Sequence, residues 1–212
     1  MWYKRPYNFF IYSSLMIIVT GGAGFIGSNI VAALEKAGKK DLVVVDELGS
    51  SDKWKNIAKR ELCAVIPPED MLDYMEAHAE EIEAVIHMGA ISATTETDAD
   101  LIIRTNFTLS WRLWEFCALY GKQFIYASSA ATYGDGSMGF DDDSSLEHVN
   151  ALRPLNAYGW SKALFDRKVA REVKEGRPVP PQYAGLKFST CTAPMNTTRG
   201  GRRAWWPTFS PR

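Results

Sequence analysis

The chain has 212 residues, of which 46% are hydrophobic and 23% are charged, and its formal net charge is -1. The length suits one domain of ordinary size, and the near-neutral charge balance argues against a general binder of polyanions such as nucleic acids. No apolar run reaches the roughly 18 residues of a membrane-spanning helix. Three widely spaced cysteines argue against a disulfide framework and favour a reducing, cytoplasmic compartment.

The first 15 residues precede the regular pattern of the chain. Lys4 and Arg5 come before an apolar stretch, as in a signal peptide. That stretch, however, continues directly into Met16-Ile17-Ile18-Val19, whose composition predicts a buried strand. Because cleavage there would remove the first strand, we interpret residues 1–15 as an N-terminal extension.

From Met16 onwards, short apolar strands alternate with helices. The predicted strands span residues 16–20, 42–46, 62–66, 84–88, 123–127 and 183–188, and the predicted helices span 24–38, 69–80, 99–120 and 157–174. This alternation is typical of a parallel sheet that is covered by helices on both faces. We therefore predict a doubly wound α/β fold.

A glycine-rich loop, TGGAGFIG, follows the first strand and opens the first helix. Its glycines let the backbone turn tightly and approach a pyrophosphate, which the helix N-terminus would stabilise. A tight turn without a ligand is the alternative, and the strand-turn-helix context disfavours it. The candidate cofactor-binding residues of this loop are Gly21, Gly24, Phe25, Ile26 and Gly27.

The residues that follow the second strand leave the choice of dinucleotide open. Asp46 lies 19 residues after Gly27, where a carboxylate binds the ribose of a dinucleotide, and it favours NAD. Glu47 follows it, and Lys53 stands in the next loop, where an ammonium would neutralise the 2′-phosphate of NADP. An ordinary surface lysine would explain Lys53 equally well, so both cofactors remain candidates.

Two later segments carry candidate catalytic groups. Tyr158 and Lys162 are spaced i, i+4, so a helix places them on one face, where an ammonium makes the phenol a usable acid or base. Upstream, ASSAATYG (residues 127–134) leaves the end of a strand. A hydroxyl there can hydrogen-bond the substrate oxygen that becomes a carbonyl.

In combination and in this order, the three motifs resemble those of the extended short-chain dehydrogenase/reductase superfamily, over about residues 16–188. The resemblance implies a Rossmann-type NAD(P)-binding domain over 16–188, followed by a smaller substrate domain. It also implies that Ser129 is the catalytic hydroxyl, Tyr158 the acid/base and Lys162 its partner, which also contacts the cofactor.

Finer features resemble the ADP-L-glycero-D-manno-heptose 6-epimerase family. They are VVDELGSSDKWKNI, HMGAISATTETD and YASSAATYGDG. The resemblance implies that Asn106 is a further cofactor-side residue and that the segment after the fourth strand lines the cofactor: Met88, Gly89, Ala90, Ile91 and Ser92. That family often has Glu where Met88 stands, and the loop from Pro67 diverges.

The same resemblance implies a reaction and a partner. The reaction inverts C6″ of an ADP-linked heptose for the lipopolysaccharide core, by transient oxidation of that carbon with bound NADP. The implied partner is the nucleotide sugar, and the family would form homo-oligomers. Neither a nucleic acid nor a membrane is implied.

The tail from Ser189 departs from this family, which continues with Asn-Glu-Tyr-His-Lys-Gly. Read one base out of frame, the codons of Met195 and Asn196 overlap in GAA, which encodes Glu. We therefore expect a one-base frameshift near Phe188 that scrambles residues 189–212 and leaves the substrate domain largely missing. The DNA sequence around that codon tests the hypothesis.

The altered tail has a mechanistic consequence in this interpretation. Arg199 stands where the family has a lysine that is believed to be a second catalytic base, and arginine cannot accept a proton. We therefore expect an epimerase that is impaired in this chain. In a rival interpretation, RGGRRAWW (residues 199–206) is a small patch that binds nucleic acid.

Other functions remain as alternatives. A sugar-nucleotide 4-epimerase shares these motifs, and so does a 4,6-dehydratase, although Ala130 and Ala131 stand where a dehydratase ordinarily has an acidic pair. A non-catalytic dinucleotide-binding protein would also need the glycine loop. No metal site is predicted, because the histidines lack ligand-like partners in the sequence. Cys63 and Cys117 fall in apolar patterns and are predicted to be core residues.

Overall fold

The computed structural model describes residues 15–189. Of the predicted N-terminal extension and tail, only Leu15 and Ser189 fall within this range. The interpretations of residues 1–14 and 190–212, including the frameshift and the role of Arg199, therefore lie outside the described residues. Within residues 15–189, no helix has the length and hydropathy needed to cross a membrane.

One six-stranded sheet forms the centre of the fold. In chain order its strands are β1 (Met16–Thr20), β2 (Leu42–Val45), β3 (Ala64–Ile66), β4 (Ile82–His87), β5 (Gln123–Ser129) and β6 (Tyr183–Phe188). Their spatial order is β3-β2-β1-β4-β5-β6, and every neighbouring pair is parallel. This order is that of the Rossmann fold, in which ligands bind beyond the carboxyl ends of the strands where the winding reverses, here between β1 and β4.

Helices connect the strands and cover the sheet. They are α1 (Phe25–Lys36), α2 (Met71–Ala77), α3 (Ala99–Ile102), α4 (Leu109–Tyr120), α5 (Leu146–Ala151) and α6 (Ala157–Lys174). A π-helical section (Ile103–Thr108) joins α3 to α4, so the predicted helix 99–120 is continuous but not uniform. Within residues 15–189 there are also three short 3₁₀ turns: Asp52–Asn56, Pro68–Asp70 and Ala130–Tyr133.

Two hydrophobic cores lie on opposite faces of the sheet, and β1 contributes to both. Met16 and Ile18 belong to the core that contains Trp114 and Phe124, whereas Ile17 and Val19 belong to the core around α1 and β2. Successive side chains of a strand point to opposite faces, so a strand that is buried on both faces is apolar throughout. The doubly covered sheet is a rigid support for the loops at its carboxyl edge.

The prediction for Cys63 is wrong, and the one for Cys117 is confirmed. Cys63 is exposed and Cys117 is buried. The strand predicted over 62–66 begins only at Ala64, and β3 lies at the edge of the sheet, where neighbours cover it on one side only. An apolar run at a sheet edge therefore does not bury every member.

Candidate active site

The carboxyl ends of the strands border a cleft of about 720 Å³. Most residues that the sequence singled out line it, and they come from segments spread over the chain. They are Gly21, Gly24, Phe25, Ile26, Gly27, Asp46, Lys53, Met88, Gly89, Ala90, Ser92, Ser129, Tyr158 and Lys162. The structure thus brings the glycine loop and the candidate catalytic groups to one site.

The glycine loop fits an anionic group such as a pyrophosphate. A Cβ atom on Gly27 would overlap the Gly21 carbonyl oxygen and lie 2.8 Å from Gly22 Cα, so only glycine lets α1 start this close to the loop. α1 has no side-chain cap and no acidic residue in its first turn. Its positive dipole end, which faces the cleft, is therefore not neutralised by a carboxylate of its own first turn.

Asp46 and Lys53 form an ion pair at the edge of the cleft. The buried Asp46 carboxylate accepts hydrogen bonds from the Ala23 backbone N–H at 2.8 Å and from Lys53 Nζ at 2.5 Å. Lys53 also donates to the Glu47 carbonyl oxygen at 3.1 Å. The ammonium is therefore held beside the carboxylate and is not a freely extended surface group.

Three predicted cofactor residues do not line this cleft. Glu47 borders a separate depression near Pro67. Asn106 is fully buried, and its side-chain amide pairs with the backbone of Ile91, accepting from the N–H and donating to the carbonyl oxygen, each at 2.9 Å. Ile91 is the third residue that does not line the cleft. Through these two bonds, Asn106 supports the segment 88–92 from behind the cleft.

Ser129 is the last residue of β5 and begins a 3₁₀ turn. Its Oγ accepts a hydrogen bond from the Ala131 N–H at 3.1 Å, and the side chain lines the cleft. Because this bond uses the oxygen as an acceptor, the hydroxyl hydrogen stays available to donate to a ligand in the cleft.

Tyr158 and Lys162 lie in the first turns of α6, as predicted. Asn156 begins this helix by accepting a hydrogen bond from the Gly159 N–H at 2.8 Å. A Cβ on Gly159 would lie 2.7 Å from the Ala131 carbonyl oxygen, so glycine allows α6 to pack closely against the turn after Ser129. This contact brings the phenol and the hydroxyl to the same cleft.

Lys162 is 4% exposed. Desolvation lowers the pKa of its ammonium from 10.5 to about 8, and the charge of Asp166 opposes this shift. The ammonium is therefore still a cation at neutral pH, although burial makes the charged form costly.

Asp166 is a charged residue behind the site that sequence reasoning missed, and it borders a separate depression. One turn after Lys162, its carboxylate accepts hydrogen bonds from Ser128 Oγ at 2.7 Å and from Lys187 Nζ at 2.9 Å. The phenol of Tyr126 donates to it at 3.3 Å. The i, i+4 spacing from Lys162 was the available signal, since it places both side chains on one face of α6.

Among residues 15–189, no group of three or more His, Cys, Asp or Glu side chains is arranged to hold a metal ion.

The sequence profile of the NAD dependent epimerase/dehydratase family matches residues 17–199. The chain belongs to this family. Its glycine loop, Ser129 and the Tyr158–Lys162 pair thus occur together in a family whose name states the dependence on a nicotinamide dinucleotide.

Curated relatives within the family carry a more specific name. The chain is 48% identical over 187 residues to an ADP-L-glycero-D-manno-heptose-6-epimerase of Fusobacterium nucleatum, an alignment that covers 87% of this chain and 55% of the relative. It is 46% identical over 193 residues to that of Nitratidesulfovibrio vulgaris, covering 89% and 57%. The chain thus spans somewhat more than half the length of these relatives.

Solved structures of sugar-nucleotide epimerases superimpose on this chain. The ADP-L-glycero-D-manno-heptose-6-epimerase of Helicobacter pylori superimposes with a TM-score of 0.66 at 26% identity, covering 82% of this chain and 54% of that one. UDP-glucuronic acid 4-epimerase from Bacillus cereus in complex with NAD superimposes with a TM-score of 0.66 at 26% identity, covering 83% and 57%.

Proposed function

We propose that this chain carries the dinucleotide-binding and proton-transfer site of an ADP-L-glycero-D-manno-heptose 6-epimerase, in a domain that spans residues 16–188. The observation that carries the proposal is the convergence of the glycine loop, the Asp46–Lys53 pair and the Ser129, Tyr158 and Lys162 side chains on one cleft. Relatives at 48%, 46% and 40% identity with this name support the heptose nucleotide as substrate. We further propose the cytoplasm as its location.

The chain's own groups supply the proton chemistry. The glycine loop and the Asp46–Lys53 pair would hold a nicotinamide dinucleotide, which would supply reversible hydride transfer at C6″. Tyr158 takes the proton of the C6″ hydroxyl as that oxygen becomes a carbonyl, and returns it in the reverse step. The Lys162 ammonium stabilises the phenolate, and Ser129 donates a hydrogen bond to the reacting oxygen.

Replacing Tyr158 with phenylalanine is expected to slow substrate-dependent reduction of the bound dinucleotide by roughly 10²- to 10⁴-fold, because the proton acceptor is lost. Dinucleotide affinity should be unchanged, since the glycine loop is untouched. Stopped-flow absorbance after mixing with ADP-heptose measures the rate, and calorimetric titration measures the affinity.

The matched control for this experiment is Tyr120→Phe. Tyr120 ends α4 and is 39% exposed, away from the cleft. Equal rates in the parent and Tyr158→Phe would contradict the proposed role. A parent chain that binds the dinucleotide but shows no reduction with ADP-heptose would contradict proton transfer in this chain, as both an impaired epimerase and a non-catalytic dinucleotide-binding protein predict.

We propose NADP as the cofactor, because Lys53 holds an ammonium at the carboxylate that would face the ribose. Lys53→Met is expected to raise the dissociation constant for NADP about tenfold or more, the effect of a lost charge-assisted hydrogen bond. Binding of NAD should be affected much less. Titration of both dinucleotides into both proteins gives the ratio.

Lys55→Met is the matched control for the cofactor experiment. Lys55 lies in the same 3₁₀ turn and pairs with the exposed Asp52 at 2.8 Å, so its removal should leave both affinities unchanged. A parent that prefers NAD, with a ratio that Lys53→Met does not alter, would overturn the choice of NADP.

A further inference from the structure

A buried chain of hydrogen bonds runs beneath the cleft from β1 to the π-helical section. Thr20 Oγ1 lies 2.6 Å from His87 Nδ1, and His87 Nε2 lies 2.8 Å from Ser110 Oγ. Ser110 Oγ in turn donates to the Asn106 carbonyl oxygen at 2.7 Å. All four residues are at most 4% exposed, so none of these groups exchanges its partner for bulk water.

Both ends of this chain reach the candidate site. At one end, the N–H of Gly89, which lines the cleft, donates to Thr20 Oγ1 at 3.1 Å. At the other end, Asn106 Nδ2 donates to Ser161 Oγ at 3.1 Å, and that hydroxyl donates to the Tyr158 carbonyl oxygen at 2.7 Å. The cofactor-lining segment and the helix of the acid/base group are thereby linked through one set of bonds.

Counting protons fixes the direction of every bond. The backbone carbonyl oxygen of Asn106 can only accept, so the Ser110 hydroxyl hydrogen points to it. Ser110 Oγ therefore accepts from His87 Nε2–H. A neutral imidazole has one N–H, so Nδ1 is bare and accepts the Thr20 hydroxyl hydrogen. Thr20 Oγ1 then accepts the Gly89 N–H, and each donor is used once.

The neutral state that this count requires agrees with the surroundings of His87. Desolvation, together with the smaller effect of the Lys162 charge, lowers the pKa of the imidazole from 6.5 to about 3. A protonated ring would present an N–H to Thr20 and remove the acceptor for the Thr20 hydroxyl hydrogen. The chain of bonds therefore needs the neutral Nε2–H tautomer.

We propose that His87 is a positioning residue that holds the segment 88–91 in one placement relative to the helix of Tyr158 and Lys162. A histidine that served packing alone would not need donor and acceptor bonds that lead to both sides of the cleft. The inference uses the proposed function to name the two sides, but the bonds themselves do not depend on it.

The first test is the protonation state of His87 in the full chain. Long-range ¹H–¹⁵N correlation spectra should show the neutral Nε2–H tautomer down to about pH 5, below the range where an ordinary histidine becomes charged. An Nδ1–H tautomer or an imidazolium at neutral pH would overturn the proposal, because the order of donors would then be different.

The second test is amide hydrogen exchange in variants that break the chain of bonds. In His87→Phe, whose ring can take the place stacked on Phe124 at 6.2 Å, exchange should rise about tenfold or more at the Gly89, Ile91 and Ser161 amides. Ser110→Ala removes only the two bonds of Ser110 Oγ. It should raise exchange at the same amides by a smaller factor. His87→Gln, whose amide has an acceptor oxygen and a donor NH₂ group, should restore part of the protection.

The matched control is Ile82→Val, at the opposite end of the same strand. Ile82 is 1% exposed, so its shortening lowers stability without touching the chain of bonds. Exchange in His87→Phe that rises uniformly, as in Ile82→Val, would overturn the proposal. If the parent binds no NADP, the proposed function fails, while the tautomer and the exchange pattern still decide the role of His87.

Discussion

Replacing Gly27 with alanine is expected to abolish dinucleotide binding and to lower the free energy of unfolding by about 3 kcal/mol, the upper part of the usual cost of overpacking. The new Cβ would overlap the Gly21 carbonyl oxygen and lie 2.8 Å from Gly22 Cα. Both neighbours are backbone atoms of the glycine loop, so no side chain can rotate away. The first turn of α1 must then move away from the glycine loop, and the two would no longer form one site for the pyrophosphate.

The Gly27 prediction is checked by chemical denaturation and by titration with NADP. Gly38→Ala is the matched control: Gly38 has φ +87° and nothing lies within 4 Å of an added Cβ. Left-handed strain at that site should cost about 1 kcal/mol without changing dinucleotide affinity. If Gly27→Ala bound NADP as the parent does, the close approach of loop and helix would not be needed for the site.

Strands buried on both faces were predictable because their whole length is apolar. All four residues of Leu42–Val45 are buried. So short an apolar run is typical of a buried strand and too short for a helix. Ala64–Ile66 is only partly covered, so apolar residues before it extended the predicted strand too far. The predicted bounds of α6 are confirmed, because its side chains keep a helical period over 18 residues.

Other local elements could not be predicted from periodicity. α5 has six residues, too few to show a helical repeat, and its main local signal is Ser145, whose hydroxyl accepts from the His148 N–H at 3.3 Å. The π-helical section around Asn106 shares its apolar pattern with an ordinary helix. Its extra residue per turn leaves no mark in the sequence.

The sequence indicated which residues line the cleft but not how they are connected. The glycine loop and the Tyr158–Lys162 pair are short motifs whose local geometry determines their use. The bond between Thr20 and His87 joins residues 67 positions apart, and the one between Asn106 and Ser161 joins residues 55 apart. Such pairs follow from the order of strands in the sheet, which one sequence does not state.

Replacing Lys162 with methionine is expected to stabilise the fold by about 3 kcal/mol at neutral pH, since one pKa unit corresponds to about 1.4 kcal/mol. Burial lowers the pKa of this ammonium from 10.5 to about 8, so the folded state disfavours the charge. Methionine has a similar length and no charge to desolvate. Asp166 is hydrogen-bonded to Ser128 and Lys187, so we expect its carboxylate to keep these partners in the variant.

The pH dependence of this gain has a definite sign. Between about pH 8 and 10.5, the unfolded parent binds more protons at residue 162 than the folded parent, so the stability of the parent rises with pH. Below this window both states are charged, and the full penalty is present. The advantage of Lys162→Met should therefore be largest at neutral pH and shrink as pH rises through the window.

Urea denaturation of both proteins at pH values inside and below that window measures the effect. Lys168→Met is the matched control on the same helix, because Lys168 is 30% exposed and pairs with Glu172 at 2.8 Å; it should bring no gain. A Lys162→Met variant less stable than the parent at neutral pH would contradict the prediction. A gain that coincides with loss of substrate-dependent reduction would mean that the ammonium opposes folding and serves proton transfer, as stability–activity trade-offs predict for active-site charges.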